Sequence, residues 1–145
     1  TAYTGSTEDV QKSKEAAQAM IDKGVDLIGG GGNASNAGMI KACEEAGVYA
    51  FGELEQQNLA PETVIFCNMN NIENLVLQAV KDTIDGDFQG CIREYGIAAD
   101  VAQLTEYNSH VPQEVKDKLA ECMDQMRSGE LDIPMITEIS DDIIH

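Results

Sequence analysis

Apolar residues along the chain recur at two periods, and the switches between them lay out the elements. Ala2–Thr4 is a short β-prone stretch, after which Ser6 and Thr7 offer N-cap oxygens and Ser6-x-x-Asp9 approximates a capping box. Val10, Ala17, Met20 and Ile21 keep one helical face apolar, and Lys23-Gly24 closes that helix. Val25–Ile28 follows as a strand. Gly29–Gly32 and Asn33 then lead, through a cap at Ser35 or Asn36, into a second helix that buries Met39, Ile40 and Cys43 and stops at Gly47. Val48–Phe51 is the next strand, and Val64–Cys67, beyond a loop through Pro61, is another. Asn70 or Asn71 caps a helix whose Ile72, Leu75, Val76, Ala79, Val80 and Ile84 give the clearest 3.6-residue pattern in the chain; Gly86 ends it. Ile92–Ile97 reads as a fifth strand, and residues 98 to 109 carry no clear period. Pro112 stands at a first helical position, followed by an apolar stripe of Val115, Leu119, Cys122, Met123 and Met126 that runs to Gly129. The remainder, Leu131 to His145, reads as an extended or irregular tail.

Lys23-Gly24-Val25 and Ala46-Gly47-Val48 each join a helix end to a strand, 23 residues apart. Strands and helices alternating at this spacing imply consecutive right-handed crossovers and a parallel sheet. The expected fold is therefore α/β, a three-layer αβα sandwich with a mainly parallel sheet.

Composition narrows the function. The 145 residues are 43% hydrophobic, enough for one domain with a core. Acids outnumber bases 26 to 9, for a net charge of −17, and no cluster of Lys and Arg exists to release counterions from a phosphate backbone. Nucleic acid and anionic membrane surfaces are thus poor partners. No apolar run is long enough to span a bilayer, and the opening TAYTGSTEDV shows no signal peptide. Cys43, Cys67, Cys91 and Cys122 fit no zinc spacing; buried free thiols are the simplest reading, with one disulfide left open.

In open parallel sheets, ligands bind beyond the carboxyl ends of the strands. That rule singles out Tyr3–Ser6, Gly29–Asn36, Gly52–Gln57 and Asn68–Asn71. The four consecutive glycines let a ligand approach the backbone, and the helix behind them offers free N–H donors. No Gly-Lys-Ser/Thr closes the loop and no Lys or Arg adjoins it, so a neutral polar ligand fits better than a nucleotide. The competing reading is a turn needed only for tight packing. Asn68 and Asn70 offer amides for hydroxyl or base recognition, while Asn71 suits a helix cap better. Glu53 and Glu55 are acceptors for ribose-like hydroxyls or else solvated surface. Catalysis has little support: the histidines are His110 and the terminal His145, no serine sits in a nucleophile elbow, and nothing assembles a nucleophile, base and oxyanion hole. No cofactor is implied.

Several runs in fixed order carry a resemblance. They are Tyr3-Thr4-Gly5-Ser6, Asp22-Lys23-Gly24-Val25-Asp26-Leu27-Ile28, the glycine segment with Gly38, and Ala46-Gly47-Val48-Tyr49-Ala50-Phe51-Gly52. Further on come Ala60-Pro61-Glu62-Thr63-Val64, Asp85-Gly86-Asp87-Phe88-Gln89-Gly90, Tyr95-Gly96, Val111-Pro112-Gln113-Glu114-Val115 and Ser128-Gly129-Glu130. Together they resemble the second half of the basic membrane protein family, the lipoprotein receptors of nucleoside-type ABC uptake transporters. The resemblance implies one lobe of a type I periplasmic binding protein, with residues 1–134 forming the lobe and 135–145 a tail. Within it, 1–97 would be the main βα units and 98–134 a hinge-proximal segment and terminal helix. It also implies a nucleoside or sugar ligand, an N-terminal lobe missing from this chain, a transporter permease as partner, and an extracytoplasmic, lipid-anchored full-length protein. Ligand-binding positions carried over or picked from the strand-end rule are Gly30, Gly31, Gly32, Asn33, Glu53, Leu54, Asn68 and Asn70. The chain departs from the family where its ribose-binding Asp falls on Leu54, its Lys on Asn70, and a frequent aromatic on Gly29 or Gly30. An effector-sensing lobe of a transcription regulator or signalling receptor is the alternative role for the same fold.

Overall fold

The computed structural model describes residues 1–134. Its elements run α1 (Val10–Ile21), β1 (Leu27–Gly29), α2 (Asn36–Ala46), β2 (Tyr49–Glu53), a 3-10 turn (Gln56–Leu59), β3 (Val64–Asn70), α3 (Ile72–Asp85), a second 3-10 turn (Ile97–Ala99), β4 (Ala102–Leu104) and α4 (Gln113–Ser128). The sheet has the order β1-β2-β3-β4. The pairs β1–β2 and β2–β3 are parallel, and β4 joins β3 antiparallel. The α/β reading with a mainly parallel sheet holds.

The core lies on one face of this sheet. Ile28, Ala50, Val64 and Cys67 point from β1, β2 and β3 toward Ala17 of α1 and Met39, Ile40, Ala42 and Cys43 of α2, and all are buried. Removing a side chain such as Ile40 from water contributes roughly 1.5–3 kcal/mol. The helices cross closely because Gly38 has no side chain: a Cβ there would stand 1.9 Å from the Val10 carbonyl oxygen. α2 ends as expected, with Gly47 in the left-handed region (φ +69°) donating its N–H to Cys43 and Glu44 carbonyls. On the opposite sheet face, Phe51 stacks on Phe66 at 5.7 Å and Phe66 meets the edge of Tyr107 at 5.8 Å.

Four local expectations are corrected. Ala2–Thr4 is not a strand but irregular chain beside β1. The N-cap of α1 is Asp9, whose carboxylate accepts from the Lys12 amide at 3.0 Å, while Ser6 Oγ accepts from the Glu8 and Asp9 amides one turn earlier. Ile92–Ile97 forms no strand; Ile92 is fully exposed, and the sheet instead takes Ala102–Leu104, inside the stretch that shows no period. Pro112 is the N-cap of α4, one residue before its first helical position. The choice between Asn70 and Asn71 resolves to Asn71, whose side chain accepts from the Asn74 amide at 3.1 Å. All four cysteines are free: Cys43 and Cys67 are buried, Cys122 is half-buried and Cys91 is exposed. The sequence-predicted tail from 135 to 145 lies outside the described residues.

Candidate functional site

Because β1, β2 and β3 run parallel, their last residues, Gly29, Glu53 and Asn70, end at one edge of the sheet. The loops that leave this edge differ in how tightly they are held. Gly29 lies against the Phe51 ring, 2.0 Å from where its Cβ would be, so a side chain cannot be added without displacing the ring. A Cβ at Gly30 would meet Asn36 Oδ1 at 2.4 Å, and one at Gly32 would meet Ser35 Oγ at 2.4 Å. Gly31 is the exception, with no heavy atom of the described residues within 4 Å of its Cβ position. The loop is therefore packed on both sides of one open backbone position. It is anchored from outside as well, since the Ser35 amide donates to the Thr7 carbonyl at 3.0 Å and Asn33 Nδ2 donates to Glu8 Oε1 at 3.0 Å.

The exit of β2 is held differently. Leu54 is not glycine yet has a φ of +54°, a conformation that costs on the order of 1 kcal/mol or more and persists only where its surroundings enforce it. Here the enforcement comes from the Leu54 amide, which donates to the Asn68 carbonyl at 2.8 Å, and from Gln56 Oε1, which accepts from the Glu53 amide at 3.0 Å. The Leu54 side chain is exposed as a result. Under this exit lies Cys67, whose thiol is pushed up from its ordinary pKa by burial.

The predicted residues thus fall into two groups. Gly30 and Glu53 are brought together through Asn36, whose Nδ2 donates to the Gly30 carbonyl, Glu53 Oε2 and Gln56 Oε1 at 3.5, 3.3 and 3.3 Å. Gly30 and Gly31 also line a recess of about 110 Å³ shared with Thr4, Ser13, Ser35 and Asn36. Asn68 and Asn70 line a separate space of about 250 Å³ between β3, β4 and the α4 residues Leu119, Cys122, Met123 and Met126. Leu54 follows Glu53 in the chain and reaches the second group through its amide, which donates to the Asn68 carbonyl. Both spaces fall below the usual 300–1,000 Å³ of a ligand pocket, as expected for a surface open on one side. Asn36 and Gln56 lie inside the segments that the strand-end rule singles out but are not among the ligand-binding positions picked from them. Beyond its place in Gly29–Asn36, Asn36 is marked in the sequence as an extra amide at the helix start beside Ser35, whereas Gln56 is marked only by its place in Gly52–Gln57.

Electrostatically the edge is acidic but uncompensated. None of the ion pairs among the described residues involves Glu8 or Glu53. No basic residue occurs in Gly29–Asn36, Gly52–Gln57 or Asn68–Asn71. Such an edge offers acceptors and backbone donors to a neutral, hydroxyl- or N–H-bearing molecule and repels an anion. Among the described residues no three His, Cys, Asp or Glu side chains are grouped to hold a metal ion.

Residues 1–137 match the family of PnrA-like ABC transporter substrate-binding proteins, Bmp. The chain belongs to this family. A purine-binding protein of Brucella abortus (strain 2308) is 25% identical over 130 residues, covering 89% of this chain and 36% of that protein. In fold, a transcriptional activator of the comK gene from Bacillus halodurans is similar with a TM-score of 0.81 at 22% identity, over 89% of this chain and 46% of its own. An ABC transporter solute-binding protein from Aeropyrum pernix K1 is similar with a TM-score of 0.73 at 22% identity, over 97% and 48%. The chain therefore spans less than half the length of each of these proteins.

Proposed function

We propose that this chain forms one wall of the ligand cleft of an extracytoplasmic solute-binding protein that delivers cargo to an ABC transporter permease. It performs no chemistry itself. The observation that carries this reading is the convergence of Gly30–Asn33 and Glu53–Leu54, joined through Asn36, at one sheet edge that holds acceptors and an open backbone but no basic residue. The ligand is then a neutral hydroxylated molecule, a nucleoside before a sugar, because the Brucella relative binds purines. A second lobe supplies the opposite wall, and closure of the two about a hinge traps the ligand. An effector-sensing lobe is the second reading, supported by the fold shared with the comK activator.

Titration of the ¹⁵N-labelled chain with inosine, adenosine and glucose tests the proposal. One wall buries one side of a ligand, so the expected result is weak binding, with Kd on the order of 1 mM (about −4 kcal/mol) and shifts confined to Gly30–Asn33 and Glu53–Leu54. Nanomolar affinity would contradict the one-wall picture, and undisturbed loops with all three probes would remove the cleft itself.

A further inference from the structure

The polar cluster behind the rim gives one residue a role that the loops do not explain. Asn36 opens α2 but does not cap it; its amide is turned inward and is only 2% exposed. A primary amide has two N–H groups, and here they are shared among three acceptors, on the exit of β1, the exit of β2 and the 3-10 turn. Burying such a group unpaired would cost roughly 1–3 kcal/mol, so its partners must be kept in place for the fold to tolerate it. The consequences converge on Glu53. Its backbone N–H is held by Gln56 Oε1, and its Oε2 accepts from Asn36 Nδ2, which leaves Oε1 without a hydrogen bond among the described residues. The same amide explains why Gly30 must lack a side chain, since Asn36 Oδ1 occupies that space.

We propose that Asn36 is a positioning residue for the cleft. By gripping one carboxylate oxygen of Glu53 and the Gly30 carbonyl at once, it holds the other Glu53 oxygen beside the glycine loop as a fixed acceptor for a ligand hydroxyl. The assignment of a ligand rests on the cleft reading above; the positioning does not.

NMR on the whole chain separates the two. In the wild type, Asn36 Hδ2 protons give NOEs to the Glu53 Hγ protons and Glu53 shows the couplings of one χ1 rotamer. In Asn36→Ala the Glu53 couplings average, and affinity for inosine falls about tenfold, the scale of one lost hydrogen bond, toward that for 2′,3′-dideoxyinosine, whose binding is unchanged. Absent NOEs in the wild type overturn the proposal, and so does a variant in which Glu53 keeps one rotamer and inosine keeps its advantage. If the rotamer order is lost in the variant while no probe perturbs the wild type, the positioning stands and the cleft reading fails. Should Asn36→Ala not fold, the wild-type NOEs still decide, and Glu53→Gln, which weakens the acceptor with Asn36 intact, must reduce the preference for inosine over its dideoxy analogue.

Discussion

From Val10 to Cys67, α1 and α2 press their apolar faces onto three parallel strands and bury them; from Ile72 to Ser128, neither α3 nor α4 contains a buried residue. The contrast runs against the sequence pattern. α3 has the most regular apolar stripe of the chain, yet Ile72, Val76, Leu77, Val80 and Ile84 are exposed. α1 and α2 have less regular stripes and make the core. Periodicity records that a face is suited to burial, whereas burial itself needs an opposing surface within reach. α1 and α2 supply one for each other through the Gly38 crossing, and α3 finds little within the described residues. What ties α3 down is polar: the Arg93 guanidinium pairs with Asp82 and donates to the Asp87 carbonyl, and the Tyr95 hydroxyl donates to Asp82.

This contrast can be broken at graded points. Gly38→Ala places a methyl group inside the Val10 carbonyl and should lower unfolding free energy in urea by at least about 3 kcal/mol, a large part of the stability of a small domain. A loss below about 1 kcal/mol would mean that α1 and α2 do not meet as described. Ile40→Ala should cost about 2–3 kcal/mol in the same assay. The cysteines report the contrast chemically. Burial pushes the Cys43 thiol up to about 11 from an ordinary 9.0, so folding favours the protonated form. That contribution is intact below pH 9 and disappears as pH climbs through 11, and stability should fall across that window less steeply in Cys43→Ala. At pH 8 iodoacetamide should modify exposed Cys91 first and leave Cys43 and Cys67 unmodified until the protein unfolds. The smallest effect belongs to Ile84→Ala, within about 0.5 kcal/mol of wild type, because that side chain is 78% exposed. A loss comparable to Ile40→Ala would show that α3 is covered after all.

The parallel strands and their helices were legible because each βα unit carries its own punctuation, such as the capping Asn71 before α3 and Gly47 and Gly86 behind α2 and α3. β4 was not, because three half-buried residues are too few to display a period, while the apolar Ile92 and Ile97 drew the expectation to the wrong segment. Ala2–Thr4 failed for a related reason: β-prone residues form a strand only when a neighbour takes up their hydrogen bonds, and none does among the described residues. At the site, the strand-end rule found the glycine loop and Glu53 because topology alone delivers them. Its segment Gly29–Asn36 reaches Asn36, but an amide at a helix start reads as a cap and conceals the inward role, and the rule could not foresee the left-handed Leu54, a residue type without preference for that conformation. Nor does parity along β3 reveal that Asn68 and Asn70 face the α4 groove rather than the glycine loop.

The aromatic row on the far side of the sheet makes the molecule its own optical probe. The chain contains no tryptophan and four tyrosines. Tyr107 rests on Phe66, and Tyr49 lies 5.5 Å from the His110 ring, so two of the four emitters watch that single surface. Whatever comes to lie on it, a companion lobe or a second protein, would change ultraviolet emission and ring-current-shifted proton signals without any label being attached.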